Sequence, residues 1–259
     1  MSLDVSGLSI DFGGRRVVDD LSFSVGSGER LGVIGESGSG KSLTVLSVLG
    51  LAPEEAVVTG SIRLDGREIV GLPERELARI RGAKVGMVFQ DPLSALNPLH
   101  TIGRQIAEPL RLHGTVSRRE ARSRAIEAAR EVGLPDPQTA IGLYPHQLSG
   151  GQRQRVGIAI ALISRPALIL ADEPTTALDV TTQAEILALF RRLVDERGAT
   201  LVFVTHDLAV LAQITDDVIV LSEGRAVERG SVSGILHAPS HPVTRGLVAA
   251  ARATTWSAS

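Results

Sequence analysis

The feature that most restricts the fold of this chain is a glycine-rich segment in its first fifty residues. Residues 35–42 read GESGSGKS and match the pattern G-x-x-x-x-G-K-[ST] at every fixed position. The segment follows a short apolar run, 30–34, and precedes a helical pattern, 43–49. A strand, a tight loop and a helix in this order present backbone amides and a helix N-terminus to phosphate oxygens. The segment therefore predicts an α/β fold with a phosphate site at the end of a strand.

The side chains of this phosphate loop have distinct expected roles. Lys41 should reach the β- and γ-phosphates of a nucleotide, and the Ser42 hydroxyl should ligate Mg²⁺. The alternative is an ordinary turn rich in glycine and serine, which the flanking strand and helix disfavour. A nucleotide with β- and γ-phosphates and Mg²⁺ are therefore expected at this loop. The residues expected to contact the nucleotide in this segment are Gly35, Glu36, Ser37, Gly38, Ser39, Gly40, Lys41, Ser42 and Leu43.

Two carboxylates follow a second apolar run much later in the chain. Asp172 and Glu173 come directly after 168–171, at the carboxyl end of a predicted buried strand. Open α/β sheets bind their ligands at this edge. Asp172 is expected to bind Mg²⁺ and Glu173 to act on water. A simple helix cap is the alternative, which the upstream phosphate loop disfavours.

Composition argues against several other classes of protein. The 259 residues are 43% hydrophobic and 22% charged, with a formal net charge of −2 and no cysteine. These values disfavour disorder, a nucleic-acid partner, disulfides and thiolate metal sites, and they are compatible with a reducing cytosol. No stretch reaches the ~18 apolar residues that a membrane span needs, so any membrane association is expected to come through a partner.

Periodicity predicts the remaining elements. Apolar and polar residues alternate in 8–12 and 21–25, and 61–69 resembles a third strand, so an antiparallel β region is expected to open the chain. Continuous apolar runs at 167–171 and 200–204 are typical of buried parallel strands, like 30–34. The pattern from Pro92 to Arg165 is helical, with Ser117 capping one helix. A further helix is expected at 180–197, between Asp179 and Gly198, and another after Asp207.

Five short motifs, taken in order, carry a resemblance to a known family. The pentapeptide LSGGQ at 148–152 lies 21 residues before Glu173, Gln90 follows the strand 85–89, and Ala177-Leu-Asp179 and Thr205-His206-Asp207 follow the two carboxylates. With the phosphate loop, this series resembles the ATPase subunits of ABC transporters. The resemblance implies an ABC ATPase fold of the P-loop NTPase class, with a RecA-type core, an N-terminal antiparallel β subdomain and an inserted helical subdomain.

The resemblance also implies domain boundaries and further site residues. The ATP-binding core with its β subdomain would cover 1–90 and 165–236, the helical subdomain 91–164, and a tail 237–259. His206 would hold the γ-phosphate, Gln90 would join Ser42 and Asp172 at the metal, and Phe12 would stack on adenine unless it is an ordinary strand residue. In trans, the ATP of a second subunit would meet Ser149, Gly150, Gly151, Gln152 and Asp179.

Longer stretches narrow the resemblance to one branch of the family. Residues 89–98, 144–149, 173–183 and 237–247 are similar to the ATPases of peptide and nickel importers. Many peptide-importer ATPases continue into an extension with several cysteines, which is absent here, so nickel stays open as an alternative cargo. The expected partners are a second ABC ATPase subunit, two transmembrane permease subunits and an extracytoplasmic substrate-binding protein. The expected location is the cytoplasmic face of a bacterial inner membrane.

Other classes share the same motifs but lack matching features here. DNA-repair or chromosome-organising ATPases of the family carry coiled-coil arms or zinc modules, and neither a heptad run nor a Cys/His cluster occurs in this sequence. A regulatory nucleotide sensor would lack Glu173 or His206, and both are present. Translation-associated members carry two cassettes in one chain. An importer ATPase is therefore the preferred interpretation.

Overall fold

The computed structural model describes residues 1–91, 95–114, 116–176 and 178–256. For residues 254–256 it describes the backbone only. Ala177, the first residue of the predicted motif 177–179, lies outside the described residues. Contacts divide the chain into two compact units, one of Met1–Ala78 with the chain from Ala199 onward, the other Arg79–Gly198. The predicted functional division at 1–90, 91–164, 165–236 and 237–259 remains a prediction.

The described residues alternate short strands with helices along most of the chain. The strands are β1 Leu3–Phe12, β2 Arg15–Val25, β3 Arg30–Gly35, β4 Val57–Leu64, β5 Arg67–Glu68, β6 Val85–Val88, β7 Leu168–Asp172, β8 Thr200–Thr205, β9 Asp217–Ser222 and β10 Arg225–Ser231. The helices are α1 Lys41–Val48, α2 Glu74–Leu77, α3 Ile102–His113, α4 Arg118–Glu131, α5 Pro137–Ala140, α6 Gly150–Leu162, α7 Val180–Arg197, α8 Leu208–Leu211, α9 Val232–His237 and α10 Pro242–Trp256. Among the described residues, no helix is both long and apolar enough to cross a membrane.

The first unit contains an antiparallel sheet and a mostly parallel one. The antiparallel sheet agrees with the β region predicted at the start of the chain, and its strand order is β2-β1-β4-β5. In the other, β3 pairs in parallel with both β8 and β9, and β10 pairs antiparallel with β9. Because β3 has a parallel neighbour on each side, its end, where the phosphate loop starts, lies inside the sheet rather than at its edge.

Helices α8, α9 and α10 cover part of this parallel sheet. Buried side chains of these helices pack with those of β3 and β9 in one apolar cluster, which includes Ile34, Leu211, Val220, Ile235 and Val248. The predicted helix after Asp207 is present and is four residues long. A turn follows it, in which the amide and hydroxyl of buried Thr215 both donate to the Leu211 carbonyl before β9 begins.

The second unit joins two parallel strands to a set of helices. Strands β6 and β7 pair in register from Val85 opposite Leu168 to Val88 opposite Ala171. Ser117 caps α4 by accepting a hydrogen bond from the Glu120 amide, as predicted. Helix α7 spans 180–197, with Asp179 as its N-cap and Gly198 in the left-handed conformation at its end, which confirms that prediction.

Candidate functional site

The phosphate loop connects β3 to α1 and is held by its own lysine. The Lys41 side chain is 5% exposed, and its Nζ donates hydrogen bonds of 2.8 Å to the carbonyls of Gly35 and Glu36. Gly40 precedes the helix with φ 94°, and a Cβ there would lie 2.9 Å from the Val17 carbonyl oxygen. Only glycine fits that backbone and that approach, so the loop geometry depends on the sequence pattern at this position.

One buried hydroxyl in this loop has no partner among the described residues. Ser39 is 4% exposed, and its Oγ makes no hydrogen bond in the part of the chain that the structure describes. A buried hydroxyl without a partner costs about 1–3 kcal/mol. A phosphate oxygen would supply the missing acceptor, and Gly38, with φ 80°, has open space beside it. The loop therefore fits the phosphates of a nucleotide.

The other two predicted site residues of the first unit lie at strand ends. Phe12 ends β1 and is 41% exposed, which leaves its ring open to a stacking partner. His206 follows β8 directly and is exposed. The side chain of the next residue, Asp207, caps α8 by accepting hydrogen bonds from the amides of Ala209 and Val210. The adenine and γ-phosphate roles of Phe12 and His206 remain predictions.

The predicted carboxylates lie at the end of β7, in the second unit. Asp172 is the last residue of the strand and is 6% exposed. Glu173 follows with φ 43°, in the left-handed region that is strained for a residue with a side chain. Its Oε2 accepts hydrogen bonds from Gln90 Nε2 at 3.4 Å and from Thr176 Oγ1 at 2.9 Å. The structure thus brings Gln90 and Glu173 together.

Thr176 is a contact that the sequence reasoning did not identify. It lies three residues after Glu173, and its amide also donates to the Glu173 carbonyl at 3.3 Å. A threonine at this spacing after an acidic residue is a signal for a local turn of this kind. Thr176 therefore fixes the orientation of the Glu173 carboxylate.

A Mg²⁺ ion would need phosphate oxygens as well as protein ligands. Among the described residues, no three His, Cys, Asp or Glu side chains form a group that could hold a metal alone. The predicted ligands Ser42, Gln90 and Asp172 are all oxygen donors, which is the ligand type of Mg²⁺. Mg²⁺ commonly binds through one or two carboxylates together with substrate phosphates. The donor set fits an ion that arrives with a nucleotide.

The LSGGQ segment forms the start of α6. Ser149 and Gln152 make a capping box, in which Ser149 Oγ accepts from the Gln152 amide and Gln152 Oε1 accepts from the Ser149 amide. The amides of Gly150 and Gly151, between them, have no acceptor among the described residues. Two open donors at the N-terminus of a 13-residue helix favour an anion.

The start of α7 lies next to this segment. A Cβ on Gly151 would be 2.7 Å from Thr182 Cγ2 in the first turn of α7. The Asp179 carboxylate caps that turn by accepting from the Thr182 amide at 3.0 Å. Two hydrogen bonds from Thr182 lower the pKa of Asp179: the one from the backbone has the larger effect, and the one from the side chain the smaller. The two helix starts thus bring together the residues predicted to act in trans: Ser149, Gly150, Gly151, Gln152 and Asp179.

Comparisons with known proteins agree with the motifs. The family model described as ABC transporter matches residues 18–176. The "Probable peptide ABC transporter ATP-binding protein y4tR" of Sinorhizobium fredii is 48% identical over 252 residues, which are 95% of this chain and 75% of that protein. The peptidoglycan transport ATP-binding protein YejF of Agrobacterium fabrum is 48% identical over 254 residues, covering 96% of this chain and 46% of the relative.

Solved structures agree with the predicted fold. The dimeric, post-hydrolysis structure of the ATP-binding cassette MJ0796, bound to ADP and Pi, superposes with a TM-score of 0.79 and 33% identity, over 89% of this chain and 98% of that one. This similarity confirms the predicted P-loop ABC ATPase fold. The family model covers more than half of the chain, and the two relatives cover nearly all of it. The chain therefore belongs to the ABC transporter family, among its ATP-binding proteins.

Proposed function

We propose that this chain is the ATP-hydrolysing subunit of an importer of peptides. The observation that carries the proposal is the phosphate loop, in which a buried lysine is held in place and the buried Ser39 hydroxyl lacks an acceptor that a phosphate would supply. The peptide cargo is supported by relatives at 48% identity that are named for peptide and peptidoglycan transport.

Each predicted residue has a role in this proposal. Lys41 offsets charge on the transferring phosphoryl group, and Glu173 orients and polarises the attacking water. His206 contacts the γ-phosphate, and Phe12 stacks on adenine. Ser42, Gln90 and Asp172 would hold Mg²⁺ together with the phosphates, and the bound ion would neutralise negative charge there.

The proposal includes a second ATPase subunit. The open amides of Gly150 and Gly151 would bind the ATP held by that subunit, with Ser149, Gln152 and Asp179 around them. The dimeric MJ0796 cassette supports this arrangement. Two permease subunits and an extracytoplasmic substrate-binding protein complete the proposed complex, with this chain at the cytoplasmic face of a bacterial inner membrane. ATP binding and hydrolysis would shift that complex between two states.

Substitution of Glu173 tests the catalytic part. Glu173→Gln keeps the size of the side chain and an oxygen for Gln90 and Thr176, so nucleotide binding should persist while turnover falls about 10²–10⁴-fold, as expected for the loss of a general base. ATP binding is measured with a fluorescent nucleotide and turnover by phosphate release. Turnover near the parent rate would refute the role of Glu173.

Substitution of Lys41 tests the binding part, with a matched control in the same chain. Lys41→Ala should abolish nucleotide binding, whereas the same change at exposed Lys84 should not alter it. Equal binding by the two variants would contradict the phosphate-loop assignment. The cargo is tested in the reconstituted complex by comparing stimulation of ATP turnover by short peptides and by chelated nickel. Stimulation by nickel alone would overturn the peptide assignment.

A further inference from the structure

A cavity between α3 and α4 is lined by four arginines. It has a volume of about 230 Å³, and the arginines Arg104 and Arg111 on α3 and Arg118 and Arg122 on α4 surround it. The chain as a whole has a net charge of −2, so this cluster is a local reversal of its charge. None of the residues assigned to ATP lines this cavity.

The four guanidinium groups have no partner among the residues that the structure describes. In the part of the chain that the structure describes, none of them makes an ion pair or a hydrogen bond. Elsewhere on α4, arginines and carboxylates do pair: Arg124 with Glu120 at 2.6 Å, and Glu131 with Arg197 at 2.6 Å. Two of the acidic side chains of this helix, Glu120 and Glu131, are therefore engaged away from the cavity.

The positions of the arginines add to their mutual repulsion. Arg118 and Arg122 are one turn apart at the N-terminal end of α4, where like charges at this spacing repel and the helix dipole is positive. Arg104 lies in the first turn of α3, at the same unfavourable end. Side chains placed at such positions gain most from an anion between them.

Small residues open the cavity between the helices. Ala107 on α3 and Ala121 on α4 are buried and line it, so no larger side chain fills the space below the guanidinium groups. Gly103 closes one side: its amide donates to the Ile141 carbonyl at 2.8 Å, and a Cβ there would lie 2.7 Å from Ile141 Cβ. Because this amide is already bonded, the donors that line the cavity are the four arginines and the Thr101 hydroxyl.

We propose that this cavity binds a phosphate group through two or more of its charged oxygens. Inorganic pyrophosphate and a phospholipid headgroup both contain such a group. Arginine forks match phosphate oxygens in a bidentate geometry, and several of them can share one phosphate. The volume lies below the ~300–1,000 Å³ of sites for drug-sized ligands, which suits a phosphate or a headgroup rather than a whole nucleotide. The site is independent of the ATP site.

Two variants that remove the same charge from the same helix test the proposal. Arg118→Ala with Arg122→Ala removes two cavity arginines, and Arg119→Ala with Arg130→Ala removes two exposed arginines of α4 that do not line the cavity. Pyrophosphate binding is measured by calorimetry on the full chain. Both variants keep the phosphate loop, so any pyrophosphate that binds there does so equally in both. Circular dichroism checks that both keep their helices.

A second arm distinguishes the two sources of phosphate. Co-sedimentation is measured with vesicles of phosphatidylcholine alone and of phosphatidylcholine with phosphatidylglycerol. We expect the cavity variant to bind pyrophosphate, anionic vesicles or both about tenfold more weakly than the control variant, because two charge-assisted contacts are lost. A loss confined to vesicles identifies the lipid headgroup, and a loss confined to pyrophosphate identifies a soluble ligand. Equal binding by both variants in both arms would overturn the proposal.

Discussion

Gly86 on β6 lies so close to α6 that a single methyl group should destabilise the second unit. A Cβ at this position would be 2.3 Å from the Ala161 carbonyl oxygen and 2.9 Å from Pro166 Cγ. The nearest atom belongs to the helix backbone, so no side-chain rotation relieves the clash and the helix itself must move. Forced overpacking costs about 1–3 kcal/mol, and a backbone clash belongs at the upper end. We expect Gly86→Ala to lower the free energy of unfolding by about 3 kcal/mol.

The same substitution on the neighbouring helix should have the opposite sign. Gly157 lies within α6, and a Cβ there meets no atom within 4 Å. Alanine has a higher helix propensity than glycine, so Gly157→Ala should stabilise the chain by about 0.5–1 kcal/mol. Both changes add one methyl group, but only the one at Gly86 meets a backbone atom of α6.

Urea unfolding of the full chain, followed by circular dichroism, measures both effects. A loss of about 3 kcal/mol corresponds to a melting temperature lower by about 6–12 °C, at about 2–4 °C per kcal/mol for a chain of this size. If Gly86→Ala unfolds within about 0.5 kcal/mol of the parent chain, the close approach of β6 and α6 does not restrict this position, and the reasoning is refuted.

Two further predictions concern hydrogen bonds to single side chains. The Glu228 carboxylate accepts the amides of Ser240 (2.8 Å) and His241 (2.9 Å); burial raises its pKa, but hydrogen bonds outweigh burial and lower the pKa from 4.5 to about 2. Glu228→Gln should therefore lower the free energy of unfolding in urea by about 1–2 kcal/mol at pH 7. This difference from the parent chain is complete above pH 4.5 and disappears as the pH falls towards 2. A difference that stays constant across this range would contradict the prediction. Ser149→Ala should cost about 1 kcal/mol through loss of the α6 cap, and Ser149→Gly only a few tenths. Equal losses for the two would show that the cap does not stabilise the helix.

Local chemistry made part of the fold predictable. Helix α7 could be bounded from its sequence because a capping Asp179, a regular apolar stripe and Gly198 all agree. The two first strands were predicted at 8–12 and 21–25 but begin earlier, at Leu3 and Arg15. Their extra residues are held by pairing with a neighbouring strand, which periodicity within one strand does not report.

Two elements of the first unit have no clear signal in their own residues, because each depends on a neighbouring element. Strand β10, with the sequence RAVERGS, has no clear apolar alternation, and it forms because β9 pairs with it along its length. Helix α10 was interpreted only as part of a tail, and buried Val248 and Ala251 hold it in the apolar cluster of the first unit. The partner of β10 is the preceding strand, whereas α10 packs on side chains that include Ile34, far away in the sequence.

The site shows the same limit. The phosphate loop and the carboxylates could be placed at strand ends because their residue types and spacing require it. The unpartnered Ser39 hydroxyl and the contact of Thr176 with Glu173 depend on side-chain geometry, which the sequence does not report. The four cavity arginines lie on two different helices, and only the packing of α3 against α4 brings them around one cavity.

The left-handed backbone of Glu173 limits how far this chain can be stabilised. A residue with a side chain at φ 43° costs about 1–3 kcal/mol, and the following Pro174 further restricts that backbone. Glycine or asparagine tolerates the conformation better, so a screen that selects for heat resistance alone should enrich those residues at 173. Under the proposed function, every such gain would remove the carboxylate needed for hydrolysis. Engineering for stability should therefore keep position 173 fixed and look elsewhere, for example at Gly157.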